Sequence, residues 1–277
     1  MRSLLLILLA LLPLGAQGPS PRISADADGA AEMTLRRGRP LFVNALLSHS
    51  QRTGGTEAVV LSPAAGGWIG SIRLVVTNAG GLEQSWPIIP TGKPVSGTLA
   101  LPPDGRVPMG WYLPSGETEK IFSGSYVLRV VLEIKNSPGW NGKVTSAAVS
   151  IQVRDEPAEL TGSENRQLGL LRFREAKLTA ELPEQSALLR TLLAKWPTDV
   201  PLLTAASHFY EDAGAPLMAL TYAENAFAAF LDSAAPKQYP PPGLEALRSR
   251  LRAQADSVIR NSAAPAGGDA ARIPARK

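Results

Sequence analysis

Apolar side chains recur every second residue up to about position 155 and every third or fourth residue beyond it. A strand sends successive side chains to opposite faces, whereas a helix brings a side chain back to one face every 3.6 residues. One chain must therefore bury two cores of different construction. At 277 residues, 44% hydrophobic and 19% charged, it is long enough for both, and disorder throughout is excluded. The expected class is α+β and multidomain: an antiparallel β-sandwich over residues 31–156, then a region of helical hairpins over 160–260.

The clearest strand is Ser125 to Ile134, where Tyr126, Leu128, Val130, Leu132 and Ile134 share one face and Arg129 and Glu133 mark the wetter one. After the turn around Asn136 to Gly139, a second run alternates Thr145, Ala147, Val149, Ile151 and Val153 with polar residues, which reads as the other arm of a hairpin. Further strands are expected at 33–35, 41–47, 58–61, 69–77, 82–89, 95–101 and 109–113. Roughly seven to nine short strands separated by turn residues favour a sandwich. Pro87, Pro90, Pro94, Pro102, Pro103, Pro108 and Pro114 cannot donate to a ladder and are assigned to edges and connections. Residues 19–30 are read as a linker ahead of the sandwich.

Gly38 after a basic strand, Trp111-Tyr112-Leu113-Pro114, Gly124-Ser125-Tyr126 and the final Val/Ala/Ile strand resemble bacterial immunoglobulin-like or macroglobulin-type sandwich modules. The resemblance implies a tyrosine corner at Tyr126, its hydroxyl capping a nearby backbone group. The cysteine pair of antibody domains is absent.

Helical spacing begins near residue 164, with helices expected over 164–182, 183–195, 200–212, 216–231 and 244–259. Gly214 offers a stop and Pro216 a first-turn residue. Ser207, Tyr210, Gly214, Ala219, Ala223 and Ala226 fall where a tetratricopeptide repeat places its small and aromatic packing residues, so 200–233 resembles one such 34-residue repeat. Residues 166–199 form a poorer copy, and 244–259 resembles a capping helix. The resemblance implies a groove that docks a peptide or protein, with Asn165, Phe173, His208 and Tyr222 as its candidate lining. An ordinary helical bundle is the competing reading.

Met1-Arg2-Ser3, the apolar run Leu4 to Leu14 and the small residues Gly15, Ala16 and Gly18 have the form of a secretory signal peptide, assigned to 1–18, with cleavage after 16 or 18. An apolar run of about 11 residues rises only ~16 Å as a helix, too short for a hydrocarbon core of about 30 Å. No membrane span is expected, and the mature chain is placed in the periplasm or outside the cell. Net charge is +4 with a pI near 9.5, yet Arg2 and the segment from Arg260 to Lys277 account for the excess. The last seventeen residues, 261–277, are read as a disordered basic tail. The body is neutral and lacks the contiguous basic face that nucleic-acid binding requires.

Signs of catalysis are sparse. With no cysteine there is no thiolate nucleophile, thiolate metal site or disulfide framework. The two histidines fall in different proposed domains: His49 reads as a hydrated loop residue, and His208 as a solvated helical residue near Glu211 and Asp212. Glu117 and Glu119 share one turn and read as a solvated cluster. No nucleotide, hydride, calcium or zinc motif occurs, so neither enzyme activity nor a cofactor nor a bound metal is expected. Four tryptophans, Trp68, Trp86, Trp111 and Trp140, are read first as core and covering residues. Projecting from neighbouring loops, they would instead make a flat platform for glycan or envelope polymer. The leading expectation is a non-catalytic, exported scaffold of the bacterial envelope docking a protein or peptide through the helical groove or the domain junction. The carbohydrate-binding module is the alternative.

Overall fold

The computed structural model describes residues 20–49, 57–63, 67–92, 96–233 and 238–263. The signal peptide assigned to 1–18 and most of the expected tail, 264–277, lie outside them. The chain divides into two compact units, Met1–Glu159 and Leu160–Lys277. An N-terminal β-sandwich is followed by α-helices packed as pairs.

The first unit runs β1 (Pro21–Ala27), β2 (Glu32–Arg36), β3 (Leu41–His49), β4 (Val59–Leu61), α1 (Gly67–Ser71), β5 (Ile72–Asn78), β6 (Glu83–Gln84), β7 (Ile89–Thr91), β8 (Leu99–Leu101), β9 (Arg106–Leu113), α2 (Ser115–Thr118), β10 (Gly124–Ile134), β11 (Gly142–Thr145) and β12 (Val149–Arg154). One sheet has the order β1-β3-β9-β7. The other has the order β2-β12-β10-β5-β6, with β11 also on β10, and β4 pairs β8 separately. With β1 and β2 as the two halves of a split first strand, this is the ABED against GFC order of an immunoglobulin sandwich.

The inward face of β10 is the one the alternation marks: Tyr126, Leu128, Val130, Leu132 and Ile134 are all buried in a single core drawn from both sheets. The Tyr126 hydroxyl donates to the Phe122 carbonyl at 2.9 Å. That is the local cap of a tyrosine corner, and Tyr126 holds it from the start of the strand.

The second arm of the hairpin is broken in two. Val131 faces Thr145 while Leu128 faces Val149, so the register slips by one residue between β11 and β12. A β-bulge absorbs the extra residue. Ser146 closes the gap: its N–H donates to the Val130 carbonyl at 2.9 Å, and its hydroxyl accepts from the Val130 N–H at 3.0 Å. Thr145 and Ala147 are consequently exposed, while Val149, Ile151 and Val153 remain inside.

Residues 19–30 hold more than a linker. β1 lies there, pairing antiparallel with β3 from Pro21 against His49 to Ala27 against Val43. β2 then crosses to the opposite sheet and pairs in parallel with β12. Elsewhere the expected strand at 69–77 loses its first turn to α1, and the expected strand at 82–89 shrinks to β6 followed by a crossing segment. Pro90 sits in edge strand β7, and Pro108 in β9 has only β3 beside it, because β7 reaches no further than Gly110 to Tyr112.

At the end where the chain leaves the sandwich, Arg37 pairs with Asp155 at 2.8 Å and buried Arg39 forms a two-pronged pair with Glu156. The Arg36 guanidinium donates to the Asp155 carbonyl at 3.1 Å.

The second unit contains α3 (Gly162–Thr179), α4 (Leu182–Lys195), α5 (Val200–Asp212), α6 (Pro216–Ser233) and α7 (Pro242–Ala263). Thr161 and Glu164 make a reciprocal capping box at the start of α3. Gly214 adopts φ of 72°, which lets the Ala215 N–H reach back to the Tyr210 carbonyl and end α5. α5 and α6 meet along Ala219, Ala223 and Ala226, all fully buried, and the Ser207 hydroxyl donates to the Ala219 carbonyl at 2.9 Å. α7 is longer than the expected 244–259 and includes residues 261–263 of the expected tail.

Candidate functional site

The helices α3, α5 and α7 run side by side in the same direction. Arg166 meets Asp199, Phe173 meets Phe209 and Lys177 meets Asp212, in chain order along α3 and α5. Leu203 shares a cluster with Leu244, Tyr210 packs against Leu247 and Leu251, and Glu211 meets Arg250, which sets α5 against α7 in the same way.

The four residues expected to line a groove do not converge. Phe173 is 1% exposed and packs edge-on to Phe209 at 6.0 Å, so it belongs to the core of the first pair and not to a docking surface. The large ring fills the space between α3, α4 and α5 that a small residue would leave empty. Tyr222 stacks flat on Tyr210 at 5.2 Å and serves the same internal cluster. Burial, then the Tyr210 hydroxyl, pushes its phenol above the usual range. The Asn165 amide donates to the Leu160 and Thr161 carbonyls at the start of α3. His208 is exposed, 3.6 Å from a Glu211 oxygen. Glu211 and Asp212 are already engaged by Arg250 and Lys177. In the other unit, His49 is no loop residue: it ends β3, is buried, and donates from Nε2 to the Glu57 carbonyl at 3.1 Å.

What the helical unit does present is a row of apolar side chains at one end. Leu178 and Leu182 flank the α3–α4 turn, Leu217 and Met218 follow the α5–α6 turn, and Val258 and Ile259 lie near the end of α7, each between 40% and 57% exposed. Because α3, α5 and α7 are parallel, their C-terminal ends fall together, and Val258 lines a shallow hollow with Gly214 and Pro216. Ion pairs bind the layers beside this rim. Glu224 on α6 receives both Arg248 and Arg252 at 2.7 Å, and Arg248 also lies 3.6 Å over the Phe227 ring. The Arg250 hydrogen bond holds the Glu211 carboxyl below its ordinary range against the pull of burial. For Glu224, burial acts upward, and the combined bonds and charges of Arg248 and Arg252 outweigh it.

The tryptophans do not form an open platform. Trp68 and Trp111 are buried, and the Trp68 indole N–H donates to the Gly97 carbonyl at 2.9 Å. Trp140 packs over Gly142, where a Cβ would stand 2.8 Å from the ring, and its backbone N–H donates to the Val60 carbonyl. Trp86 is half-buried with its ring 5.2 Å from that of Tyr126.

Three of the four nevertheless meet one cleft. Between β5 and β6 of one sheet and β7 and β9 of the other lie two abutting pockets of about 120 and 450 Å³, sharing Ile69, Ile72, Pro90 and Trp111. Trp68 and Met109 line the smaller, and Trp86, Arg73, Glu83, Gln84 and Ser85 the larger. Gly110 lets β7 close the cleft: a Cβ there would stand 2.4 Å from the Thr91 hydroxyl. The tryptophans stand out in the sequence, whereas Gln84 and Ser85, in and just after the two-residue edge strand β6, do not.

No family model matches the chain, and no curated protein matches it. Among solved structures it is similar to the sporulation control protein Spo0M of Bacillus subtilis, at 11% identity and TM-score 0.29 over 56% of this chain, spanning 54% of that protein's length. It is also similar to a CARDB domain from Pyrococcus furiosus, at 13% identity and TM-score 0.25 over 49% of this chain and 97% of that one. A third is the major pilin subunit BcpA of Bacillus cereus, at 11% identity and TM-score 0.24, covering 48% and 40%. Likenesses this distant bear on neither ligand nor activity.

Proposed function

We propose that the chain is a non-catalytic scaffold protein of the bacterial envelope, exported on its Leu-rich leader, that docks a partner protein through helices paired in the tetratricopeptide manner. The observation that carries this reading is the apolar rim of Leu178, Leu182, Leu217, Met218, Val258 and Ile259. Single exposed leucines are ordinary, but large apolar residues recurring at matching turns mark an interaction surface. The docking surface is this end of the stack, apart from Asn165 at the start of α3.

The reading is tested by crosslinking the full mature chain in its native envelope, comparing a Leu182→Glu/Leu217→Glu variant with an Asn165→Ala/His208→Ala variant. Loss of the crosslinked partner in the first and its retention in the second is the expected outcome. Equal capture by both, or a footprint confined to the sandwich, refutes it.

A further inference from the structure

We propose that the larger pocket at the open edge of the sandwich is a saccharide-binding site, with Trp86 and Trp111 as its apolar surface and Gln84 and Ser85 as its hydrogen-bonding rim. A sugar ring has an apolar face of C–H bonds and a belt of hydroxyls, each of which donates and accepts. Aromatic rings suit the first, and planar amide, carboxylate and guanidinium groups suit the second.

The pocket offers both. Trp86 is half-buried and shares the pocket with Ile72, Leu74, Ile88 and Trp111. Gln84 stands opposite inward-facing Val76 and, with Ser85, supplies the polar groups. Arg73 and Glu83 stand opposite Val131 and Thr77 and so belong to the other face of the sheet, where Arg73 lies 4.0 Å from Glu133. A pocket whose polar side chains are uncharged favours a neutral polyol over a polyanion or a polycation. A volume of about 450 Å³ falls within the range of small-molecule sites. Strand addition by a peptide is disfavoured at this edge, because β6 has two residues and β7 has three with Pro90 at its centre. The site lies wholly within the first unit and stands or falls apart from the helical docking surface.

The test is tryptophan fluorescence and calorimetric titration of the full mature chain with chitotetraose, cellotetraose and xylotetraose. Saturable binding of at least one is expected. Trp86→Ala should abolish the fluorescence response, while Gln84→Ala should weaken binding about tenfold, the loss expected for one polar contact to a bound ligand. Trp140→Ala, outside the pocket, and Arg73→Met, on the other face of the sheet, should titrate like the unaltered chain. Because Trp86 also packs on Tyr126, the Gln84 variant, which leaves the core untouched, decides the matter if Trp86→Ala misfolds. Absence of saturation with all three sugars at millimolar concentration, or undiminished binding by the Gln84→Ala variant, overturns the proposal.

Discussion

The sandwich and the helical unit solve the same problem of burial in opposite ways. The sandwich gathers its core from distant segments, so that Ile23, Leu47, Leu113, Leu132 and Val153 share one cluster. The helical unit divides its apolar residues among three small clusters, each spanning three or four neighbouring helices. One core should be lost as a whole; the others can be lost a layer at a time.

The sharpest way to break this comparison is Phe173→Ala. Removing a fully buried aromatic costs about 3–5 kcal/mol, enough to melt α3 and α4. The expectation is a loss of helical signal by far-UV circular dichroism, with the sandwich tryptophans retaining their native emission. Simultaneous loss of both would show that the units are not independent in stability.

Tyr126→Phe is a smaller probe. It deletes one hydroxyl from the corner and should cost about 1 kcal/mol, the ordinary worth of such a bond. Denaturant unfolding should shift only the sandwich transition.

The smallest effect concerns acid. Glu211 and Glu224 are held below their ordinary carboxylate range in the folded chain, so their contribution is complete above that range and is lost as pH falls through the lowered values. α7 should loosen on acidification before the sandwich does, as partial loss of helix by circular dichroism. In a Glu211→Gln/Glu224→Gln variant this early step should be absent. A sandwich that yields first would reverse the comparison.

The two periods made most elements legible. β10 and β12 declare themselves by alternation, and α5 and α6 by Gly214, Pro216 and the alanine seam. β1 was hidden because its alternation rests on Ile23, Ala25 and Ala27, and small side chains among charges give a faint two-residue signal. The break at Ser146 was hidden because a bulge changes phase without changing composition. Phe173 was misplaced by the repeat register: a position read as facing a groove is filled by a ring that faces the neighbouring helix. The cleft could not be read at all, since Ile72, Gln84, Pro90 and Trp111 meet only once the order of strands in both sheets is known.

The parallel contact between β2 and β12 has a mechanical consequence. The chain enters the second sheet at Glu32 and leaves it after Arg154, and these two strands lie side by side over five paired residues. A pull applied at Glu32 and Arg154 would therefore act along the two strands, stretching those backbone bonds together instead of unzipping them in turn. Arg37 and Arg39, clasping Asp155 and Glu156, fasten the chain at the same end of the strand pair.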